Sequence, residues 1–346
     1  MNKKYYIVIR KEYKLNETRV AITPIDCFKL IKYNYIVYVE KSNNRCFSDN
    51  IYQENGCILI DSMYSLQYNI DEMLIIGLKE LPDDDIIYKF YHIYFSHTFK
   101  NQLNSEYILN KFKLNNGRIY DLEYFRDIDN NRLFAFGKYA GVVGCYLGLL
   151  QYYNKLVYNI NIKEITSFNS FDNMIKEISK CKTFFNNIRV GVIGNGRCGK
   201  GCIILLELLN IKYDIITRIN NYNLTDYDII LNNILLTSYI NPFITTDTLY
   251  KFIKPCVIVD ISCDYNNPFN PLPIYNRLST FIEPVIDINN MISMIAIDNL
   301  PSLLPCDSSS DFSSKLVSIM CSTKFNMYMD NTLKYFYKTL LVQLKK

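Results

Sequence analysis

The chain has 346 residues, of which 49% are hydrophobic and 21% are charged, and its formal net charge is +4. This length accommodates two ordinary domains, and the hydrophobic fraction excludes a largely disordered chain. Lysine and arginine are dispersed among acidic residues and form no basic tract, which disfavours nucleic-acid binding. We therefore expect a globular protein of two domains.

The 11 cysteines are odd in number, include no Cys-x-x-Cys pair and mostly lie within apolar runs. This pattern predicts buried thiols in a reducing compartment, with neither a disulfide framework nor a zinc site. The opening Met-Asn-Lys-Lys lacks the apolar stretch of a signal peptide. The most apolar long segment, residues 133–150, contains Lys138 and is too short to span a bilayer. We expect a cytoplasmic protein that binds neither metal nor membrane.

The first part of the sequence alternates between strand and helix patterns. Strands are predicted over residues 5–9, 35–39, 73–76 and 93–96, and helices over residues 25–33 and about 102–114. Such alternation is typical of a mainly parallel sheet with helices on its faces. Strand-like segments at 119–124 and 133–136 follow. A long apolar helix is then predicted from Gly137 to about Tyr153, where the chain would cross into a second domain.

The second part resumes the alternation after a polar connection, residues 154–187, which has a helix near 171–178. Strands are predicted over residues 188–193, 213–216, 229–234, 257–261 and 282–286. Two amphipathic helices after Asp307 have no strands of their own and must pack on an existing domain. We predict an α/β fold of two Rossmann-type domains with mainly parallel sheets and an inter-domain cleft. The predicted substrate domain is residues 1–136 plus 307–346, and the dinucleotide-binding domain is residues 137–306.

A glycine loop follows the strand at 188–193. Gly194, Gly196 and Gly199 form Gly-x-Gly-x-x-Gly: the first permits a tight turn, the second lets backbone approach a pyrophosphate, and the third lets helix approach strand. Asp214, about 20 residues further on, would accept hydrogen bonds from ribose hydroxyls, which favours NAD over NADP. Arg218 could instead tolerate a 2′-phosphate. A tight turn with a surface aspartate is the structural alternative.

Two further runs leave a titratable nitrogen where a strand pattern ends. One is Gly77-Leu78-Lys79-Glu80, and the other contains His97. Loops after strands carry the chemistry of α/β folds, and a lysine and a histidine placed there could share proton transfer. A solvated strand end and a packed histidine are the alternatives. The second histidine, His92, lies in an aromatic run without polar neighbours and is predicted to be structural.

Several longer runs carry a family pattern: Gly77-Leu78-Lys79-Glu80, Tyr120-Asp121-Leu122-Glu123, Gly196-Arg197-Cys198-Gly199, Asn267-Pro268 and Leu300-Pro301-Ser302-Leu303-Leu304-Pro305. Together they resemble the NAD-dependent, L-lysine-forming saccharopine dehydrogenases. The wider alanine dehydrogenase and transhydrogenase superfamily shares the lysine and histidine but not the last two runs. The resemblance implies a monomeric oxidoreductase that reversibly converts saccharopine, NAD and water to L-lysine, 2-oxoglutarate and NADH.

The resemblance also implies residue roles. Lys79 and His97 would be the acid-base pair, with Glu80 and Glu123 tuning the pKa of the lysine. Carboxylate clamps and other substrate contacts would be Arg19, Lys79, Gln102, Arg132, Phe136, Ser262, Cys263 and Asp264. NAD would be bound by Gly194, Gly196, Arg197, Gly199, Asp214, Arg218, Leu235, Ile261, Ile297, Asp298, Asn299 and Leu300.

The sequence departs from the family pattern at several positions. Asn131 stands where a second arginine is usual, and the glycine loop is one residue shorter. Asn233 and Leu235 replace a cysteine and a tyrosine, and Asn299 replaces a common histidine. Two alternatives therefore stay open: an alanine-dehydrogenase-like enzyme acting on a smaller amino acid, and a catalytically silent relative that acts as a binding protein.

Overall fold

The computed structural model describes residues 5–67, 73–82, 88–100, 105–217, 222–236 and 238–343. The chain divides into two compact units. Unit 1 comprises Met1–Ala135 with Pro305–Lys346, and unit 2 comprises Phe136–Leu304. The chain thus passes between the units one residue before the first predicted crossing and two residues before the second.

The sheet of unit 1 is built from short strands rich in Ile, Val and Tyr, whose branched or aromatic side chains suit a pleated surface. Its elements are β1 (Tyr5–Ile9), α1 (Pro24–Lys32), β2 (Tyr35–Glu40), α2 (Asp49–Glu54), β3 (Ile58–Ile60), β4 (Met73–Ile76), β5 (Tyr91–Tyr94), α3 (Ser105–Leu114) and β6 (Arg118–Asp121). The strands run parallel in the order β3-β2-β1-β4-β5-β6. Because this order reverses between β1 and β4, ligands are expected at the carboxyl ends of these strands.

Unit 2 repeats the architecture after two helices, α4 (Gly137–Tyr158) and α5 (Phe171–Ser179). Its remaining elements are β7 (Val190–Ile193), α6 (Arg197–Leu208), β8 (Tyr213–Ile216), β9 (Ile229–Asn232), α7 (Thr246–Leu249), β10 (Cys256–Asp260), β11 (Ile286–Asp287) and β12 (Ile292–Ile295). The strand order is β11-β12-β10-β9-β7-β8, with only β11 antiparallel among the described pairs. Strands β7, β9 and β10 are buried along their whole length, which explains why they are apolar up to the polar residues that end β9 and β10.

Glycines let α4 and α6 approach each other closely. A Cβ on Gly141 would overlap the carbonyl of Cys198, and a Cβ on Gly201 would overlap the carbonyl of Lys138. A further glycine of α4, Gly144, faces the side chain of Ile261 beyond β10. The long apolar helix predicted from Gly137 is therefore confirmed, and its glycines are explained by close packing.

The last two helices, α8 (Pro305–Met320) and α9 (Phe325–Gln343), return to unit 1. The Ser309 hydroxyl accepts the Val20 N–H at 2.9 Å, and the Ser313 hydroxyl accepts the Thr23 N–H at 2.9 Å. The prediction that these helices pack on an existing domain is confirmed.

Two local predictions were wrong, and three short elements were not predicted. The predicted strand at 133–136 is irregular chain, in which the Leu133 N–H donates to the Phe125 carbonyl at 2.8 Å. The segment at 282–286 contributes only the first residue of β11, and β12 was not predicted. The short elements α2 and β3 were also missed, because periodicity over three to six residues cannot separate strand from turn.

Candidate active site

The predicted acid-base residues of unit 1 leave neighbouring strands at the same edge of its sheet. Strands β4 and β5 are parallel, and their pairing continues past their ends, where the Gly77 N–H donates to the Ile93 carbonyl at 3.0 Å. Lys79 follows β4 by three residues, and His97 follows β5 by three residues. The structure therefore brings the Lys79 and His97 loops side by side.

The backbone of Lys79 is held by two charged residues that follow β1. The Glu12 carboxylate accepts the N–H of Leu78 at 2.7 Å and that of Lys79 at 2.9 Å. The Arg10 guanidinium donates to the Lys79 carbonyl and occupies the space that a Cβ on Gly77 would need. These contacts fix the point from which the lysine side chain begins.

Glu12 and Arg10 were not among the predicted site residues. Burial raises the pKa of the Glu12 carboxyl, although the charge of Arg10 and the two backbone N–H donors act in the opposite direction. One indication of their role is visible in the sequence, because Arg10, Lys11 and Glu12 directly follow the first strand. Their partner, the loop after β4, is more than sixty residues away in the chain and could not be identified from the sequence.

A second buried ion pair lies near Lys79. The Arg19 Nε donates to Glu17 Oε1 at 2.8 Å and its Nη2 donates to Oε2 at 2.6 Å, and the two side chains are 2% and 0% exposed. Burial alone would raise the pKa of the Glu17 carboxyl, but hydrogen bonds and charge from Arg19, together with the positive charge of Lys79, hold it below its ordinary value. Arg19, predicted as a substrate clamp, thus has two of its three guanidinium nitrogens on Glu17.

The His97 ring lies between two carboxylates. Its Nδ1 is 3.5 Å from Glu123 Oε1 and its Nε2 is 3.9 Å from Glu80 Oε1. The side chain is 27% exposed, so the ring is accessible to a solute. The backbone of His97 has a φ of 56°, a left-handed conformation that a non-glycine residue adopts only when its surroundings hold it there.

Asp121 provides that support from the end of β6. Its Oδ2 accepts the Ser96 hydroxyl at 2.8 Å and the His97 N–H at 3.2 Å, and its Oδ1 accepts the Glu123 N–H at 2.9 Å. Burial raises the pKa of Asp121, against the opposing effect of these donors. One buried carboxyl therefore positions both the histidine and the glutamate beside it.

Arg132 adds a cation to this group. Its Nη2 lies 3.6 Å from Glu123 Oε1, and its guanidinium lies over the Phe95 ring, 5.2 Å from the centroid. The side chain is 36% exposed. Phe136, also predicted to contact substrate, is half-buried at the residue preceding α4, where unit 2 begins.

His92 is a structural residue, as predicted. Its Nε2 lies 2.7 Å from the Lys89 carbonyl, and its ring packs edge-on against Phe112 at 5.0 Å between centroids. Complete burial lowers its pKa to about 3, although the hydrogen bond to Lys89 acts in the opposite direction. The ring is therefore neutral at physiological pH.

In unit 2 the glycine loop has the geometry of a phosphate cradle. Gly194 has a φ of 88°, which only glycine adopts without strain. A Cβ on Gly199 would overlap the Gly194 carbonyl, whereas a Cβ on Gly196 would have nothing within 4 Å. Gly196 immediately precedes α6, and Arg197 is the first helical residue. The second glycine thus leaves open space at a helix N-terminus, where a pyrophosphate would be bound.

Asp214 does not lie where a ribose-binding carboxylate is expected. It is the second residue of β8 and pairs in register with Gly191, three residues before the glycine loop, a separation on the order of 10 Å along a strand. Its Oδ2 accepts the Tyr227 hydroxyl at 2.8 Å and Arg189 Nη2 at 3.2 Å. Both partners precede strands, so the carboxylate is directed to the amino edge of the sheet. The predicted ribose contact is therefore not supported for this residue.

A polar network marks the carboxyl ends of β9 and β10. Asp260 Oδ1 accepts Asn232 Nδ2 at 2.9 Å and the Ser262 hydroxyl at 2.6 Å, and Oδ2 accepts the Tyr275 hydroxyl at 2.5 Å. Cys263 has a φ of 54°, and burial and nearby carboxylates raise its pKa. This network orients the predicted substrate contact Ser262. Asn232, Asp260 and Tyr275 were not predicted as site residues.

The other predicted residues of unit 2 are distributed around this edge. Asp264 Oδ2 accepts Asn267 Nδ2 at 2.6 Å, and Asn299 Nδ2 donates to the Ser302 hydroxyl at 2.6 Å. Ile261, Ile297 and Leu300 are buried in the core, whereas Leu235 and Asp298 are exposed. Two predicted residues, Gln102 and Arg218, lie outside the described residues.

The 11 cysteines all fall in the described ranges and are free thiols. Within those same ranges no cluster of three or more His, Cys, Asp or Glu side chains has an arrangement that could hold a metal ion.

Comparisons with solved structures define the class of this fold. An L-alanine dehydrogenase superposes with a TM-score of 0.71 at 12% identity, covering 96% of this chain and 94% of that one. A transhydrogenase from Sinorhizobium meliloti gives a TM-score of 0.62 at 12% identity, over 92% and 94% of the two chains. The family described as alanine dehydrogenase/PNT, N-terminal domain, matches residues 8–143. The chain therefore has the α/β fold of alanine dehydrogenase, and the prediction of two mainly parallel, Rossmann-type sheets is confirmed.

Sequence relatives narrow the assignment. A saccharopine dehydrogenase (NAD+, L-lysine-forming) from Schizosaccharomyces pombe is 33% identical, covering 92% of this chain and 93% of the relative. The enzyme of the same name from Yarrowia lipolytica is 34% identical over 89% of each chain. The chain belongs to the L-lysine-forming saccharopine dehydrogenase family.

Proposed function

We propose that this protein is an NAD-dependent oxidoreductase that converts saccharopine, NAD and water to L-lysine, 2-oxoglutarate and NADH, and that the reaction is reversible. One structural observation carries the proposal. The loops after β4, β5 and β6 place Lys79, His97 and Glu123 at one edge of unit 1, with Arg132 beside Glu123. This set combines two proton-transfer groups with a cation for substrate carboxylates.

The residues of unit 2 fit a dinucleotide. Gly194 and Gly199 form the tight turn, and the open space at Gly196 leaves room for a pyrophosphate at the N-terminus of α6. The remaining contacts that we propose for NAD are Arg197, Leu235, Ile261 and residues 297–300. When bound there, NAD supplies the acceptor for a hydride from the substrate.

Lys79 acts first in the proposed mechanism. It accepts the proton of the secondary amine as the carbon–nitrogen bond of saccharopine is oxidised to an imine. The Glu17–Arg19 pair near it carries no net charge, because the carboxyl has a lowered pKa and the guanidinium is cationic. Glu12 and Arg10 hold the lysine backbone in place for this transfer.

His97 acts in the later steps. It takes a proton from the water that adds to the imine, and it returns a proton to the departing amine of lysine. Glu123, 3.5 Å from Nδ1, and Glu80, 3.9 Å from Nε2, place negative charge beside the ring in both steps. We propose that these two carboxylates also adjust the acidity of Lys79.

Arg132 binds a substrate carboxylate in this scheme. Saccharopine has three carboxylates, and the partly exposed guanidinium of Arg132 offers one of them a planar, two-point partner. We propose Arg19, Gln102, Phe136, Ser262, Cys263 and Asp264 as further substrate contacts. Because Glu17 engages two nitrogens of Arg19, the contribution of that arginine is smaller than that of Arg132.

We further propose that the protein is a cytoplasmic monomer with no nucleic-acid partner. The terminal helices support the monomer, since the hydroxyls of Ser309 and Ser313 are used within unit 1. Over the ranges that the structure describes, no helix has both the length and the apolarity needed to cross a bilayer. Light scattering coupled to size-exclusion chromatography tests the oligomeric state directly.

The activity is tested by following NADH absorbance with lysine and 2-oxoglutarate supplied together and separately. The proposal expects oxidation of NADH only when both are present, and formation of saccharopine as the product. Oxidation with pyruvate and ammonia instead would support the alanine-dehydrogenase-like alternative. NADH binding without turnover of either pair would identify a catalytically silent binding protein, and would contradict the proposal.

A further inference from the structure

Two partly exposed thiols come together in unit 1, and neither belongs to a residue proposed for catalysis. Cys46 lies in the loop after β2, and Cys306 lies in the first turn of α8. The Cys306 Sγ is 3.6 Å from the Cys46 carbonyl oxygen, so the side chains of the two residues are neighbours. A disulfide between them requires these side chains to move until their Cβ atoms are about 3.5–4.5 Å apart.

The two thiols are chemically unequal. Cys306 lies at the positive N-terminal end of a 16-residue helix, and its interaction with the Cys46 side chain lowers its pKa. The same interaction, together with burial, raises the pKa of Cys46. Cys306 is thus the more nucleophilic partner and Cys46 the proton donor.

The thiol pair is attached to the segment that carries Arg19. The Cys46 N–H donates to the Thr18 carbonyl at 2.8 Å. The Ser309 hydroxyl, one turn after Cys306, accepts the Val20 N–H at 2.9 Å, and it also acts on the Cys46 side chain by lowering its pKa. Both residues that flank Arg19 are consequently tied to the loop and the helix that a disulfide would join.

We infer that Cys46 and Cys306 form a peroxide-sensitive redox site whose disulfide clamps the segment around Arg19 against α8. The Cys306 thiolate attacks a peroxide oxygen, the O–O bond breaks, and the sulfur becomes a sulfenic acid as hydroxide leaves. The Cys46 sulfur then attacks Cys306, the S–O bond breaks, and the second hydroxide leaves. Protons from the two thiols convert both hydroxides to water, so one peroxide is reduced for each disulfide formed.

A second pair of thiols in the same unit serves as an internal control. Cys27 and Cys57 also interact through their side chains, but the two residues are only 0% and 5% exposed. Burial raises the pKa of Cys27 well above its usual value. Peroxide cannot reach this buried pair in the folded protein. Although the two thiols are neighbours, we therefore expect them to stay reduced.

The test treats the folded, full-length protein with dilute hydrogen peroxide and maps disulfides by peptide mass spectrometry. We expect a Cys46–Cys306 cross-linked peptide that is two hydrogens lighter than its parts, while the Cys27 and Cys57 peptides stay reduced. In Cys46→Ser, dimedone should label Cys306 as the trapped sulfenic acid. In Cys306→Ser, Cys46 should remain unlabelled, and the control Cys321→Ser should form the disulfide as the wild type does.

Absence of the Cys46–Cys306 peptide in wild type, or equal dimedone labelling of Cys46 and Cys306 in the two variants, would overturn the inference. The clamp is measured separately by hydrogen exchange. Exchange at residues 17–20 should slow in the oxidised protein and recover on reduction, and an unchanged rate would exclude the clamp. Because these readouts follow thiols and amide protons, they do not depend on the proposed dehydrogenase activity.

Discussion

The carboxyl edges of the two sheets carry opposite kinds of side chain. In unit 1 this edge is charged, with Glu12, Lys79, His97 and Glu123 held by one another or by backbone groups. In unit 2 it consists of the glycine loop and the amide and hydroxyl groups around Asp260. One charged pair of unit 2, Asp214 and Arg189, lies towards the other edge.

In the proposed function, this difference separates proton transfer from dinucleotide binding on one type of fold. In each sheet the strand order reverses once, between β1 and β4 in unit 1 and between β7 and β9 in unit 2. Ligands are expected at the carboxyl ends of the strands on either side of such a reversal. The residues that follow those strands decide what each site can do. Substitutions at one edge should therefore affect turnover, and substitutions at the other should affect dinucleotide affinity.

The largest effect is expected from Lys79→Met. Loss of the amine should lower kcat by about 100- to 10,000-fold, the range typical of an acid-base group, while NADH affinity measured by fluorescence titration stays unchanged. The control is Lys41→Met, which removes a half-exposed lysine that follows strand β2 of the same sheet. An unchanged kcat for Lys79→Met would remove this residue from the mechanism.

The next effect concerns a carboxylate contact. Arg132→Ala should raise the KM for 2-oxoglutarate by about 10- to 100-fold, because a hydrogen bond to a charged group contributes about 1.5–3 kcal/mol. The KM for NADH should change much less. Arg126→Ala is the matched control, since Arg126 faces Arg132 across an isolated β-bridge. A larger change in the KM for NADH would assign Arg132 to the cofactor instead.

Substitutions of two glycines in the loop should have different effects, one on NADH affinity and the other on the free energy of unfolding. Gly196→Ala adds a Cβ in open space, so the fold should persist while the NADH dissociation constant rises roughly tenfold through obstruction of the pyrophosphate. Gly199→Ala places its Cβ on the Gly194 carbonyl and should lower the free energy of unfolding by about 1–3 kcal/mol. Urea unfolding and NADH titration of both variants test this contrast, and equal behaviour of the two would contradict it.

Glu17 should stabilise the protein only above acidic pH. Its folded pKa lies below the ordinary value of 4.5, so its ionised form contributes stability that is present above pH 4.5 and is lost as pH falls through the folded pKa. The loss of unfolding free energy in Glu17→Gln should therefore be largest at neutral pH and shrink as the pH falls through the folded pKa of Glu17.

The contribution of Glu12 to stability should change with pH in the opposite direction to that of Glu17. Its folded pKa is raised above 4.5, so relative to Glu12→Gln the wild type should gain stability as pH falls through the folded pKa towards 4.5. Chemical unfolding of both variants across this range gives the two slopes. Parallel slopes would show that the two carboxyls do not differ in environment as described.

The smallest effect is expected from Asp214→Asn. Because this carboxylate is engaged by Tyr227 and Arg189, the NADH dissociation constant should change by less than about twofold. A ribose-binding carboxylate would instead weaken NADH by roughly tenfold or more. A loss of that size would restore Asp214 to the cofactor site and reduce the contrast between the two edges.

The regular elements of the fold were predictable where apolar periodicity is strong. The bounds of β1, β4 and β8 agree with the predicted strands residue for residue, and α4 begins at the predicted Gly137. Short elements and the segment at 133–136 were not, because tertiary contacts decide whether a few apolar residues join a sheet.

The site was predictable only in part. Lys79, His97, Glu123 and Arg132 lie in recognisable runs, and the structure places them on one edge of the sheet. The supporting residues Arg10, Glu12 and Asp260 were missed, since each acts through partners that are distant in the sequence or lie in a loop of irregular shape. For Asp214, a spacing of about 20 residues does not specify where in a strand a residue falls, and the structure pairs it with Gly191 rather than with the glycine loop.

By itself the sequence determined the α/β class, the two-part organisation, the glycine turn and the residue types available for proton transfer, since these depend on periodicity and on short motifs. Only the tertiary structure decided which charges meet. It paired Arg19 with Glu17, fixed Lys79 through Glu12, directed Asp214 away from the glycine loop and brought Cys46 to Cys306. The physical reason is that charge pairing and burial act over a few ångströms in space, whereas the partners are set by strand order and register, which a local pattern does not encode.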